Sequence, residues 1–126
     1  MMTTDEIGHK LVALCQQGKN LEAIETLYSK DAESVEAMST PEMPARLKGV
    51  DKIKEKNEWW FANNEVHEGG AKGPFPNGDR FAVIYNFDVT PKNGPMAGKR
   101  MRMEEVGMYT VKGGKIAREE FFYTMG

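Results

Sequence analysis

Acidic side chains among apolar and aromatic neighbours are the feature of this sequence that could do chemistry. Glu105 follows Met103, and Glu119 precedes Phe121 and Tyr123 at alternate positions. A carboxyl group surrounded by such side chains loses hydration, which raises its pKa toward the range useful for general acid or base catalysis. The two glutamates are therefore candidate proton-transfer groups, provided that the fold turns them toward a pocket.

A structural role is the competing interpretation of both carboxylates. Arg102 and Arg118 are close to them in sequence and could pair with them on a solvated or dimer-forming sheet face. Exposed ion pairs of that kind add little stability and perform no chemistry. The sequence therefore leaves open an enzyme and a non-catalytic binding module.

His67 is a further candidate for proton transfer, because imidazole titrates near physiological pH. An exposed or core-packed histidine is the alternative. His9 is distant in sequence and no Cys or Asp cluster accompanies the pair, so we predict no metal site. No phosphate-binding glycine loop and no G-x-S-x-G motif occurs, so we expect neither nucleotide binding nor serine hydrolysis.

Apolar residues at spacings of three and four predict two helices near the N-terminus, over residues 4–17 and 20–28. Thr4 or Asp5 could cap the first helix, and Gly18 separates the two. Weak alternation predicts a short strand over 31–38. The proline-containing stretch that follows predicts a loop.

A third helix is predicted over residues 50–64, with Asp51 as its N-cap and Lys56 facing water. Trp60 shares the apolar stripe of Ile53, so we expect it in a pocket wall. Trp59 points about 100° away and is assigned to a rim or a subunit contact.

Beyond residue 64 the hydrophobic period changes to two, which predicts strands. Tyr85 lies on the apolar face of the second strand. The Asn77-Gly78 and Gly113-Gly114 dipeptides favour hairpin turns. Four consecutive strands are predicted, over residues 65–73, 80–90, 100–112 and 115–125. Helices segregated from a contiguous antiparallel sheet predict the α+β class.

Three strings in this order resemble the nuclear transport factor 2-like superfamily, in particular its SnoaL-like branch, related to polyketide cyclases and ketosteroid isomerase. They are LYSKDAESVEA, GVDKIKEKNEWW and YTVKGGKIAREEFFY. The resemblance covers nearly the whole chain. It implies a cone-shaped fold, in which a strongly curved mixed, mostly antiparallel sheet packs against three N-terminal helices around a pocket. It also implies a homodimer.

The resemblance suggests positions in the pocket as well. It places Glu36 where ketosteroid isomerases carry their general base, and Gly107 near their proton-donating Asp, which is therefore missing. It implies that positions 119, 121 and 123 line the pocket, near Met108. A bulge in the last hairpin would bring in Met103 and Glu105 instead.

The turn of the last hairpin also predicts which residues pair across its two strands. If Gly113-Gly114 is a two-residue turn, Lys112 pairs with Lys115, and Tyr109 then lies opposite Arg118. Both resulting faces mix apolar and charged residues. Alternation alone therefore does not choose the inner face.

Composition narrows the partners. The net charge of −2 gives no footprint for nucleic acid or anionic lipid, and no apolar run approaches the roughly 18 residues of a membrane span. We expect one cytoplasmic domain over residues 1–126. Its predicted ligand is a small hydrophobic molecule, and its predicted activity a cofactor-independent isomerisation or cyclisation in which Glu36, His67 or Glu119 moves a proton.

Overall fold

The computed structural model describes residues 1–124. It contains three helices and six strands, and the helices pack against one face of a single sheet. The elements in chain order are α1 (Thr4–Gln16), α2 (Asn20–Leu27), β1 (Tyr28–Val35), β2 (Arg46–Lys48), α3 (Val50–Asn63), β3 (Asn64–Asn77), β4 (Arg80–Pro91), β5 (Met101–Lys112) and β6 (Lys115–Phe122).

The first helix begins at Thr4 as predicted, but its cap is the residue before either predicted cap. Thr3 is the N-cap, and its hydroxyl accepts the Glu6 N–H while the Glu6 carboxylate accepts the Thr3 N–H. This reciprocal capping box satisfies two N–H groups that the first turn would otherwise leave unpaired. Gly18, at φ 74°, then lets the chain turn into α2.

The third helix starts after Gly49, not after an Asp51 cap. Gly49 adopts φ 103°, which favours glycine, and Asp51 lies in the first helical turn. Its carboxylate there is near the positive end of the helix dipole. The predicted N-cap was therefore displaced by two residues, because backbone geometry decided the start of the helix.

The strand order is β2-β1-β6-β5-β4-β3, and only β1 and β6 run parallel. The sheet is thus mixed and mostly antiparallel, and with the three helices it confirms the predicted α+β class. The three-residue strand β2 lies in the predicted loop. It was missed because three residues are too few to show a period.

Several strand boundaries differ from the predictions. The first strand begins at Tyr28, directly after α2, and β3 continues through the predicted turn to Asn77. Gly78 and Asp79 form the turn, because Asn77 pairs with Arg80. The last strand ends at Phe122, and its predicted end at Met125 lies outside the described residues.

A register shift in the last hairpin decides which residues face inward. Val111 pairs with Ile116, but Thr110 pairs with Arg118, so Ala117 is an extra residue in β6. Tyr109 consequently lies opposite Glu119, and the predicted pairing of Tyr109 with Arg118 was wrong. A bulge of this kind moves every following side chain to the other face.

The core lies between the helices and the inner face of the sheet. Ile7 and Leu11 of α1, Leu27 of α2 and Ile53 of α3 are almost fully buried, as are Phe81 and Ile116 of the sheet. No helix in the described part of the chain is long and apolar enough to span a membrane.

Candidate functional site

A cavity of about 320 Å³ lies between the helices and the inner face of the sheet. Its walls come from all three helices, from β4, β5 and β6, and from the segment between β1 and β2. Most of the lining is aromatic or aliphatic, with a few polar groups, as is usual for small-molecule sites. Trp59 and Trp60 of α3 both contribute to it.

Glu119 of β6 is held in the cavity wall by three neighbours. The side chain is buried, with 3% of its surface exposed. Tyr28 donates a hydrogen bond to Oε1, and Ser34 donates one to Oε2 at 2.5 Å. Lys56 Nζ lies 3.5 Å from the same Oε2. Both carboxylate oxygens are therefore occupied, which fixes the side chain in one orientation.

Lys56 of α3 links Glu119 to Glu36. Its ammonium donates to Glu36 Oε2 at 2.9 Å and to Ser34 Oγ at 2.5 Å. Only 14% of the side chain is exposed, so the prediction that Lys56 faces water was wrong. Tyr123 donates to the second oxygen of Glu36 at 3.0 Å. The two carboxylates, the ammonium and the three hydroxyls form one network, named here the Glu119 network.

Glu105 of β5 faces the same cavity in a different state. None of the described residues donates a hydrogen bond or forms an ion pair with its carboxyl group. Burial, reinforced by the charges of Glu36 and Glu119 and opposed by Lys56, raises the pKa of Glu105 to about 7. It is the lining group best suited to give and take a proton near neutral pH.

A second polar cluster also lines the cavity. The hydroxyls of Tyr85 and Tyr109 are 2.5 Å apart, and Cys15 Sγ lies 3.9 Å from the Tyr85 hydroxyl. Burial raises the pKa of the Cys15 thiol to about 11 and also raises the pKa of both tyrosines. These groups therefore stay neutral at physiological pH.

Gly107 makes room for the tyrosine pair. A Cβ at this position would lie 2.9 Å from the Tyr109 ring and 3.1 Å from the Tyr85 ring. Two aromatic hydroxyls therefore occupy the region near Gly107, where the resemblance indicated that an acidic proton donor is missing.

The structure brings most of the predicted site residues to one cavity. The predicted residues that line it are Trp60, Tyr85, Met103, Glu105, Phe121, Tyr123, Glu36 and Glu119. Their proximity is a geometric result, and their roles in binding or catalysis stay predictions.

Two predicted residues lie elsewhere. Met108 pairs with Ala82 and Glu120 on the opposite face of the sheet, because the bulge at Ala117 moves it away from the Glu119 side. His67 does not line the cavity. It falls in a register shift of β3, where its Nε2 lies 2.7 Å from Thr90 Oγ1.

Three residues of the Glu119 network were not predicted from the sequence: Lys56, Ser34 and Tyr28. A signal existed for Lys56, since it lies three positions after Ile53 and therefore beside the apolar stripe of α3. Tyr28 and Ser34 could not be found, because the predicted strand began at residue 31 and its inward face was undefined. The expected partner Arg118 instead pairs with Glu33 and Glu120.

No group of three or more potential metal ligands occurs among residues 1–124. The carboxylates of the cavity are bonded to ammonium and hydroxyl donors in the Glu119 network, and Glu105 stands apart from them. The polar groups present are suited to proton transfer and hydrogen bonding.

The helix-over-sheet cone and its aromatic cavity define a protein of the nuclear transport factor 2-like class. A solved structure of a protein with a ketosteroid isomerase-like fold from Catenulispora acidiphila, in complex with trimethylamine, superposes with a TM-score of 0.72. It shares 20% identity, and the match covers 98% of this chain and 88% of that one. An NTF2-like protein from Burkholderia pseudomallei gives a TM-score of 0.76 at 14% identity, covering 98% and 92%.

The chain belongs to the SnoaL-like family, whose domain model matches residues 2–123. A related structure from Mesorhizobium loti is 45% identical, with a TM-score of 0.89, and the match covers 97% of this chain and all of that one. That protein is named provisionally as a SnoaL-like polyketide cyclase, with carbohydrate phosphatase added in brackets. No curated protein matches this chain.

Proposed function

We propose that the cavity catalyses cofactor-independent proton transfer next to the carbonyl group of a small hydrophobic molecule, as an isomerase or cyclase does. The observation that carries the proposal is the Glu105 carboxyl group, which lines a mostly apolar cavity and has no hydrogen-bond or ion-pair partner among the described residues. Family membership supports this class of reaction, and the provisional cyclase name of the Mesorhizobium loti relative is consistent with it.

The proposed step begins with the ionised Glu105. Its carboxylate takes the proton from the carbon next to the carbonyl, and the electron pair moves onto the carbonyl oxygen to form an enolate. In an isomerisation Glu105 returns the proton to another carbon of the conjugated system. In a cyclisation the enolate carbon forms a bond to a second carbonyl carbon, whose oxygen receives the proton.

Other lining groups would stabilise and position the substrate. The Tyr85 and Tyr109 hydroxyls and the Asn57 amide line the cavity and are candidates to donate a hydrogen bond to the enolate oxygen. Glu36 and Glu119 are assigned to positioning, because their oxygens already accept hydrogen bonds. The proposal does not use His67.

Solvent exchange of a ketone α-proton tests this step directly. With 2-tetralone, an apolar ketone, in D₂O, proton NMR should show exchange catalysed by the wild-type protein. Glu105→Gln should slow it by roughly 100-fold or more, the usual loss for a general base. The rate should rise with pH through about 7, because the ionised carboxylate is the active form.

Glu104→Gln is the matched control, since Glu104 directly precedes Glu105 in β5, is exposed and points to the opposite face. It should exchange at the wild-type rate. Equal exchange in wild type and Glu105→Gln, with both folded, contradicts the proposal.

A non-catalytic ligand-binding module is the second candidate, and the Glu119 network favours it. Glu36 and Glu119 are engaged by Lys56 and by hydroxyls, as structural carboxylates are. The same exchange experiment separates the two candidates. Binding of 2-tetralone, followed by tryptophan fluorescence, without any catalysed exchange would support the module.

We also propose that the chain forms a homodimer through the outer face of the sheet. Ile84, Val106 and Phe122 form one cross-strand row on this face, and Phe122 is 52% exposed. Ile84 and Val106 are half-buried, and a partly exposed apolar row of this kind can serve as an association surface. Sedimentation velocity should show a dimer for the wild type and a monomer for Phe122→Lys. A monomeric wild type contradicts the proposal.

A further inference from the structure

The charges that line the cavity do not cancel. Glu36, Glu105 and Glu119 contribute carboxyl groups, and Lys56 is the single cationic side chain among the described lining residues. Its ammonium already donates to Glu36 and Ser34 and approaches Glu119. An incoming carboxylate or phosphate would therefore find no uncommitted cation in this wall.

The carboxylates of the cavity also raise the pKa values of their neighbours, which is the effect of a negative electrostatic potential. Beyond the effect of burial, Glu36 and Glu119 raise the pKa of Glu105 while Lys56 lowers it, and Glu119 raises the pKa of Tyr28. Burial and Glu36 together raise the pKa of Tyr123. The carboxylate contributions mean that another negative charge is disfavoured there and that a positive charge is attracted, whereas burial by itself disfavours charge of either sign.

The walls supply the second requirement of a cation site. Aromatic faces attract cations, and Lys56 Nζ already lies 5.1 Å from the centre of the Phe121 ring. Trp60 packs against Phe61 and Phe87 with ring centres 5.0 and 5.1 Å apart. Such walls accept the apolar body of a ligand and tolerate a positive charge on it.

We propose that the ligand of this cavity is an apolar molecule carrying a protonated amine, whose ammonium group pairs with Glu105. Glu105 is the partner because the other two carboxylates are engaged by Lys56, Tyr28, Ser34 and Tyr123. The inference rests on the proposed function, because it names the class of substrate for that reaction. In the proposed reaction the ammonium is attached next to the acidic carbon, because both then face the same carboxylate.

The pairing makes binding depend on pH. The charged groups around Glu105 are Glu36 after β1, Lys56 of α3 and Glu119 of β6. An ammonium ion binds the ionised form of Glu105, so ligand affinity should rise as pH increases through about 7. An apparent affinity scales with the fraction of protein in the competent form, so the gain between pH 5.5 and pH 8 should be on the order of tenfold or more.

Three probes of equal shape and different charge test the inference: 1-naphthylmethylamine, 1-naphthylmethanol and 1-naphthoate. Isothermal titration calorimetry at pH 8 should show the amine binding at least tenfold more tightly than the alcohol, with no measurable binding of the carboxylate. In Glu105→Gln the amine should lose its advantage over the alcohol and its pH dependence. Glu104→Gln should behave as the wild type.

The overturning result is naphthoate, or the alcohol, binding the wild-type protein as tightly as the amine. This comparison needs no variant, so it stands even if Glu105→Gln fails to fold. Failure of the proposed function gives a different pattern, in which the amine binds selectively but 2-tetralone exchange is absent. Catalysed exchange without amine selectivity removes this inference alone.

Discussion

Glu119 and Glu105 lie on neighbouring strands, face the same cavity and are in opposite states. Glu119 accepts hydrogen bonds from Tyr28 and Ser34 and lies 3.5 Å from Lys56. Glu105 has no such partner among residues 1–124, and burial raises its pKa to about 7. The two glutamates therefore differ in their environment, because hydrogen-bond donors surround the carboxylate of Glu119 and none was found for that of Glu105 among the described residues.

The difference between the two carboxyl groups is the difference between a structural and a reactive group. A carboxylate with all of its acceptor sites engaged is rigid, and its charge is already compensated. A desolvated carboxyl group without partners costs stability in its ionised form, and it can recover that cost by taking up a proton or pairing with a cationic ligand. The comparison supports the proposal that the Glu119 network holds the site together and that Glu105 takes part in the chemistry.

Removing the Lys56 ammonium should have the largest effect on stability, because Glu119 would then lack its cation, as Glu105 does in the described part of the chain. Lys56→Met leaves Glu36 and Glu119 without their cation, and losing one partner of a buried ion pair costs about 3–5 kcal/mol. Urea denaturation at pH 8 should show this loss.

Lys52→Met is the control for that variant, since Lys52 is exposed on the same helix. Its free energy of unfolding should stay within about 0.5 kcal/mol of the wild type. A Lys56→Met protein as stable as this control would show that the Glu119 network does not hold the site together.

A smaller effect should come from Glu105 itself. Its pKa is about 7 in the folded state and 4.5 in the reference state, so the folded protein binds more protons between these values. Stability from this group is therefore lost as pH rises from about 4.5 to about 7. Glu105→Gln should abolish this loss. Its free energy of unfolding relative to the wild type should therefore increase by about 1–3 kcal/mol from pH 5 to pH 8.

Thermal and urea unfolding of both proteins across that range measure this gain. Glu104→Gln should follow the wild-type pH dependence, because its side chain is exposed on the other face. If Glu105→Gln and wild type instead keep a constant stability difference from pH 5 to pH 8, Glu105 is not the desolvated group described above.

Much of the architecture could be predicted from local patterns. Stripes at spacings of three and four predicted α1, α2 and α3 to within about one residue, and the change to period two predicted the four-strand meander. The Gly113-Gly114 turn was confirmed. The boundaries of β1 and β3 were less accurate, because their polar residues alternate weakly.

The candidate site was predictable only in part. The resemblance drew attention to Glu36 and Glu119, and residue type suggested Glu105, but the two faces of the last hairpin could not be ranked. One extra residue at Ala117 moved Met103, Glu105 and Tyr109 to the Glu119 side and Met108 away from it. A bulge leaves no clear mark in composition, since its position depends on how two strands pair.

The sequence by itself determined the segregation of helices from strands and the kinds of side chain available, since propensity and periodicity act over a few residues. The tertiary structure alone decided that Lys56 joins Glu36 and Glu119, which lie 20 and 63 positions from it along the chain. It also decided that Glu105 has no such partner in the part of the chain that the structure describes. The physical reason is that desolvation and hydrogen-bond supply depend on what surrounds a group in space. Neither quantity can be read from its neighbours in sequence.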